Sequence, residues 1–307
     1  MTKTKKSLVL TLAFGVLFLV GAIFGVKNLM PTSKASASEH VHCFCGETTC
    51  SDDGHDASLV WTAWDGMTSI DTIGNYYLSD NVSADTLTAD ITISANANIC
   101  LNGKTLDLGA YRIIVGQEAT VNFSDCNGLG KIISSTGNEI DYYRRIIQVD
   151  GTLNIYGGTY ENQAGYDNYT IQVGEDSGKY GALNIYAGTI SAQNDVKAVL
   201  NYGLITQFGG RITGKSSIIL CNGATSTYVL QNNGTTYSTY TLKGGEIYGD
   251  DTYRYSYDAI LNVGTVNLEG GEINLTVANG ARAINTGWYG VVNMTGGKIK
   301  IESVAEG

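Results

Sequence analysis

The chain has 307 residues, with 39 glycines, one proline, and 29 Asp+Glu against 19 Lys+Arg. A hydrophobic fraction of 43% excludes a disordered chain, and glycine without a three-residue period excludes a collagen. A formal charge of −10 argues against nucleic acid as a partner, because such binding needs a basic footprint.

The N-terminus has the order of an export signal. Lys3, Lys5 and Lys6 precede an apolar run from Ser7 to Val26, and Ala35-Ser36-Ala37 supplies a small-residue cleavage site. The run is about 20 residues, enough to span a bilayer. Residues 1–37 are therefore expected to be a cleaved signal peptide or an uncleaved signal anchor. Either way, everything from Ser38 onward is secreted or at the cell surface, and the membrane is touched only through residues 7–26, if they are retained. Residues 1–37 hold five Lys and no acid, so the remaining 270 carry 14 basic against 29 acidic side chains and no proline. Proline breaks the hydrogen-bond ladder of a central strand, so its absence suits continuous sheet.

Residues 38–57 form a Cys/His-rich module. His40, His42, Cys43, Cys45, Cys50 and His55 fall within sixteen residues and include every histidine of the chain. Cys43, Cys45, Cys50 and His55 could fill a closed structural zinc site, with His40 or His42 as alternates. About one zinc per chain is then expected. The spacing is shorter than the common CxxC knuckle, and a Cys45–Cys50 disulfide also suits an oxidising exterior. Zinc, a disulfide and neither all stay open.

Residues 58–90 are expected to be an N-terminal cap, with Trp61 and Trp64 covering the open end of the repeats that begin at residue 91. Exposed tryptophans could instead hold sugar rings.

Residues 91–307 repeat themselves. The phrase Gly151-Thr-Leu-Asn-Ile-Tyr-Gly-Gly-Thr-Tyr160 returns from Gly181, Gly203, Ser238, Gly264 and Gly290, and a weaker copy is Thr120-Val-Asn-Phe123. Within each copy Leu153 and Ile155 point one way and Thr152, Asn154 and Tyr156 the other. A second strand precedes each phrase, at Ile146–Val149, Thr170–Val173, Ala198–Asn201, Ile218–Cys221, Ala259–Asn262 and Ala283–Thr286. Three short strands per unit of 22–35 residues predict an all-β parallel β-helix solenoid of seven or eight coils. The parallel-crossover rule favours a right-handed one. Asn122, Asn154, Asn184, Asn267 and Asn293 are expected to stack as a ladder, completed by Thr206 and Thr241. Cys100 and Cys126 are one coil apart and are expected to stack, as buried thiols or, alternatively, as a disulfide.

Insertions come after the Gly-Gly strand and before the next one, which places them on one edge of the solenoid. They are rich in Tyr, Asp and Arg. Tyr142, Arg144, Asp167, Asp250, Asp251, Tyr253, Arg254, Tyr255 and Tyr257 are the candidate ligand-binding residues, with tyrosine for stacking and Asp and Arg for directed hydrogen bonds. The bland alternative is that loops are polar and tyrosine shields an edge. The chain stops soon after a coil, at Ile301–Gly307, which suggests a fragment or a truncation.

His40-Val-His-Cys-Phe-Cys-Gly46, Trp61-Thr-Ala-Trp64, Gly74-Asn-Tyr-Tyr-Leu-Ser79, Ile99-Cys-Leu-Asn-Gly-Lys-Thr105 and Asp125-Cys-Asn-Gly-Leu-Gly-Lys-Ile132, with the coils, carry a resemblance. The chain resembles right-handed parallel β-helix proteins of the pectin-lyase-like superfamily, and more narrowly a group of Gram-positive gut-bacterial surface proteins. The resemblance implies an exported surface protein and does not by itself grant catalysis. Lyases of this fold use calcium held by carboxylates with an Arg or Lys base, and its hydrolases use clustered Asp with a histidine. The coils hold no histidine, and Asp250-Asp251 with Arg254 is the only local acid–base cluster. The expected role is therefore a non-catalytic adhesin or binding module for a polysaccharide or a host or bacterial surface protein. The alternatives are a calcium-dependent polysaccharide lyase or related carbohydrate-active enzyme, and a structural spacer in a larger surface protein. No catalytic residue is assigned.

Overall fold

The computed structural model describes residues 59–135, 145–163, 168–175, 180–193, 196–214, 218–222, 238–250, 257–277, 280–287 and 290–303. Among them there are strands and turns and no helix.

One coil shows how the sequence builds the rest. Arg145–Val149 runs first, Thr152–Ile155 second and Thr159–Asn162 third. In the second strand Leu153 and Ile155 are fully buried while Thr152 and Asn154 are half-buried, as period-two alternation requires. Each strand pairs in parallel with its equivalents one coil before and one coil after, Leu153 lying between Val121 and Leu183. The described strands thus form three parallel sheets. Sheet A has ten strands and holds the repeated phrase, sheet B has eight and holds the strand before it, and sheet C has eight and holds the strand after it. This is a parallel β-solenoid of about seven turns, and seven spacings of ~4.8 Å give a stack about 34 Å long. Sheet A extends into Thr62–Trp64 and Gly74–Leu78, so regular pairing begins within residues 58–90.

The two residues of the Gly-Gly turn have different jobs. The second takes a positive φ, 76° at Gly245, a backbone conformation costly for any residue with a Cβ. The first sits against the coil below, and a Cβ on Gly244 would lie 2.3 Å from the Phe208 carbonyl oxygen.

The core is one column of aliphatic side chains running through the coils. Trp64 enters it, 3% exposed, and its indole N–H donates to the Thr68 carbonyl at 2.9 Å, while Trp61 is half-buried. Trp64 is thus a core residue of the first described strand. At the other end, Val292, Met294, Ile299 and Ile301 align with the buried Val266, Leu268, Ile273 and Leu275. They are 41, 54, 40 and 46% exposed, so the last described coil leaves its core positions uncovered.

Three buried amides, Gln207, Asn201 and Asn262, are paired. Gln207 takes the inward position held by Ile185 and Leu242 in neighbouring coils. Its Oε1 accepts from the Tyr240 hydroxyl at 2.6 Å, and its Nε2 donates to the carbonyls of Gly210 and Glu246 at 3.2 Å. Asn201 and Asn262 are fully buried at the turn from sheet B to sheet A. Each accepts from the N–H of the glycine two residues on and donates to a carbonyl in the next coil.

Burial pushes the Tyr240 phenol well above its ordinary range. Tyr160 is shifted the same way by burial, then by Asp125 and Cys100. A raised folded-state pKa means that folding favours the protonated phenol. The stability it contributes is whole below the unfolded pKa of about 10 and is lost as pH rises above it. In an alkaline absorbance titration, Tyr160 and Tyr240 of the 20 tyrosines will ionise only as the chain unfolds. Reversible ionisation of every tyrosine near pH 10, with the circular dichroism of the sheet retained, would contradict this packing.

Candidate functional site: the loop-bearing edge

The site is built at the corner where the chain passes from sheet C to sheet B. Six successive connections cross there, from Ser134 to Arg145, Asn162 to Tyr169, Ala192 to Lys197, Gly214 to Ile218, Gly249 to Tyr257 and Val277 to Ala281. The expected single edge for the insertions is thus present, with one correction. Two other long connections, Val173 to Ala182 and Asn222 to Thr239, cross at the sheet B to sheet A corner. The second accounts for the 35-residue step between Gly209 and Gly244, which the repeat spacing alone could not assign to a corner.

Of the candidate ligand-binding residues, Asp250 directly follows the strand Glu246–Gly249 and is exposed, and Tyr257 opens the strand Tyr257–Asn262. Both bracket the same corner. Tyr142, Arg144, Asp167, Asp251, Tyr253, Arg254 and Tyr255 lie outside the described residues, as do Cys43, Cys45, Cys50 and His55.

The described residues at this corner form a polar row on the outer side of sheet B. Arg145, Tyr169 and Lys197 are in register on three consecutive coils. The Lys197 ammonium lies 5.5 Å from the Tyr169 ring centroid, within cation–π range. Burial holds the Arg145 guanidinium below its usual pKa, nearby Arg112 adds to this, and Glu175, Asp150 and Tyr202 oppose it. Two coils beyond Lys197, Asp258 is buried and pairs with Arg282, whose Nη2 donates to Oδ2 at 3.1 Å; Asn285 donates to the same oxygen at 3.0 Å. Arg282 itself is half-exposed, so one buried carboxylate anchors a guanidinium that reaches solvent.

Next to this row, sheet B is covered on its outer face as well as its inner one. Gln148, Gln172 and Leu200 are in register and buried. Tyr169 and Leu200 form a second apolar cluster with Tyr202 and Leu261 packed on it. The Gln148 amide donates to Asp150 Oδ1 at 2.7 Å and to the Gly174 carbonyl at 3.0 Å. Consecutive Ile146 and Ile147 both belong to the main core. A straight strand sends consecutive side chains to opposite faces, so the strand bends there and turns Arg145 outward.

The outer face of sheet A offers a different surface. The Asn ladder stands as expected and is two coils longer, since Asn75 and Asn98 begin it. The Nδ2 of each later asparagine donates to the Oδ1 of the one before, at 2.7 Å from Asn98 to Asn75, 2.6 Å from Asn122, 2.7 Å from Asn154 and 2.8 Å from Asn184. The row passes through Thr206 and Thr241 and resumes at Asn267 and Asn293. Beside it Tyr156, Tyr186 and Phe208 stack at 4.6 and 4.8 Å, within 2° of parallel, and Lys243 lies 5.5 Å from the last ring. Sequence reasoning did not single out this stack, although its signal was present as the sixth residue of successive phrases. The middle ring, Tyr186, has a neighbouring ring on each face.

Chemically, the described corner can donate from Arg and Lys and accept at the exposed Asp250, while Tyr169 is buried in its own apolar cluster. Among the described residues no group of three or more His, Cys, Asp or Glu is placed to hold a metal ion. No helix among them is long and apolar enough to cross a membrane. No protein-family model matches the chain, and neither a curated protein nor a solved structure matches it.

Proposed function

We propose that the chain is an exported, right-handed β-helix surface protein of the pectin-lyase-like kind, acting as a non-catalytic adhesin. It binds a polysaccharide or a surface protein along the sheet C to sheet B edge. The carrying observation is that six connections cross at one corner, above a row containing Arg145, Tyr169 and Lys197. The loop sequences add Tyr142, Arg144, Asp167, Asp251, Tyr253, Arg254 and Tyr255 to that edge. Tyrosines in the connection after Ser134 and, four coils further on, in the connection after Gly249 would offer a long polymer separated contacts along the edge. The export signal and the acidic balance beyond it fit a soluble chain outside the cytoplasm. The Cys/His-rich residues 40–55 would form a separate structural module, held by zinc or by a disulfide.

The test incubates residues 38–307 with neutral and acidic polysaccharides, with calcium and with chelator, and scores chain length and retention together. Intact polymer retained saturably on the protein is the expected result. Calcium-dependent shortening would replace the adhesin by a lyase centred on Asp250, Asp251 and Arg254. Polymers neither shortened nor retained would count against glycan binding and leave a protein ligand or a spacer role.

A further inference from the structure

Cys100 and Cys126 lie on adjacent coils with their sulfurs 3.2 Å apart, and both are buried, at 0 and 1% exposed. The backbone holds them there from several sides. Cys100 ends a sheet A strand in register with Ser124, and the Leu101 N–H donates to the Ser124 carbonyl at 2.8 Å. The intervening Asp125 is buried and accepts from the Gly103 and Gly130 N–H groups at 2.7 and 2.6 Å, tying both turns together. Asn102 takes a positive φ of 55° in the turn between them, and its N–H points at the Cys100 sulfur at 3.3 Å.

We propose that Cys100 and Cys126 are joined by a disulfide that staples these two coils near the start of the solenoid. Two S–H bonds break and one S–S bond forms. Two electrons and two protons pass to a disulfide oxidant, a dithiol oxidase or a small-molecule disulfide, which is reduced to two thiols. The bond closes while the chain folds. In the folded state both sulfurs are out of reach of an oxidant, and the Cys126 thiol is pushed far up by its hydrogen bond with Cys100, by burial and by nearby Asp125, so little thiolate is present to attack. The staple closes a loop of 26 residues and restrains the unfolded chain accordingly. It does not rest on the adhesin function, and the chemistry can be tested without export.

The full chain, reduced and unfolded, is refolded in a buffer of reduced and oxidised glutathione. The folded fraction is isolated, alkylated under denaturing conditions and mapped by peptide mass. The expected product is a Cys100–Cys126 linked peptide. The linked protein should melt on the order of 5–10 °C above the same protein refolded fully reduced. Alkylation of both cysteines in the folded oxidised product would overturn the proposal, and so would a linked peptide with no gain in melting temperature.

Discussion

Replacing Gly245 by alanine will lower stability by about 3 kcal/mol, and Gly244→Ala by about 2 kcal/mol, whereas Gly157→Ala will cost less than about 0.5 kcal/mol. The three residues belong to the same turn of the repeat, and their surroundings set the order. At Gly245 a Cβ would meet the positive φ of 76° and also lie 2.4 Å from the Gly210 carbonyl oxygen. At Gly244 the φ is ordinary, but the Phe208 carbonyl oxygen is 2.3 Å from the added atom. That oxygen is backbone of the neighbouring coil, so relief requires the coils to part. At Gly157 the nearest atom is the Asp125 backbone nitrogen at 3.2 Å, which can give by a few tenths of an ångström. The chain itself carries Ala187 at this position in the next coil. Thermal unfolding followed by circular dichroism checks the order, with on the order of 6–12 °C lost in Gly245→Ala. Equal effects at Gly157 and Gly244 would mean that the coils are not stacked this closely.

Asn154→Asp will destabilise the chain by about 2–3 kcal/mol, and Asn154→Thr by about 1 kcal/mol or less. Asn154 is a middle rung of the ladder, donating to Asn122 and accepting from Asn184. Aspartate keeps the acceptor, loses the donor and sets a carboxylate against the Asn122 Oδ1, which now lies 2.7 Å from the amide nitrogen. Threonine forgoes both amide bonds without adding charge, and the row already passes through Thr206 and Thr241. Chemical denaturation midpoints distinguish the two. A Thr variant as damaged as the Asp variant would show that the cost is loss of asparagine packing, with no part played by the direction of the amide bonds.

The sheet A strands were legible because their phrase is nearly invariant and strictly alternating, which fixes both face and register. The Gly-Gly punctuation exposed the coil length, and the coil length led to the Asn ladder and the Cys100–Cys126 neighbourhood. What stayed hidden depended on contacts across coils. Gln207 occupies a position that reads as apolar in every other copy, and only the coil above, through Tyr240, shows why an amide can sit there. The outward face of sheet B reads as a solvent face from alternation, yet Gln148, Gln172 and Leu200 are buried. The bend between Ile146 and Ile147 breaks the alternation on which such a reading relies. The loop edge was legible as a place, because insertions at one point of a repeat must stack. Its chemistry was legible only as composition, since loop side chains carry no periodicity to orient them.

The central claim is that binding runs along the loop edge and not across sheet A. It is tested by measuring the affinity of a retained polysaccharide for the wild-type chain and for two sets of variants. One set removes edge tyrosines, Tyr253→Ala and Tyr255→Ala. The other removes exposed rings of sheet A, Tyr186→Ala and Phe208→Ala. Circular dichroism verifies that each variant is folded. A loss of about tenfold or more in the edge variants, on the order of 1.4 kcal/mol, with unchanged binding in the sheet A variants, is the predicted result. Loss confined to Tyr186→Ala and Phe208→Ala would contradict it and move the binding surface to the aromatic stack.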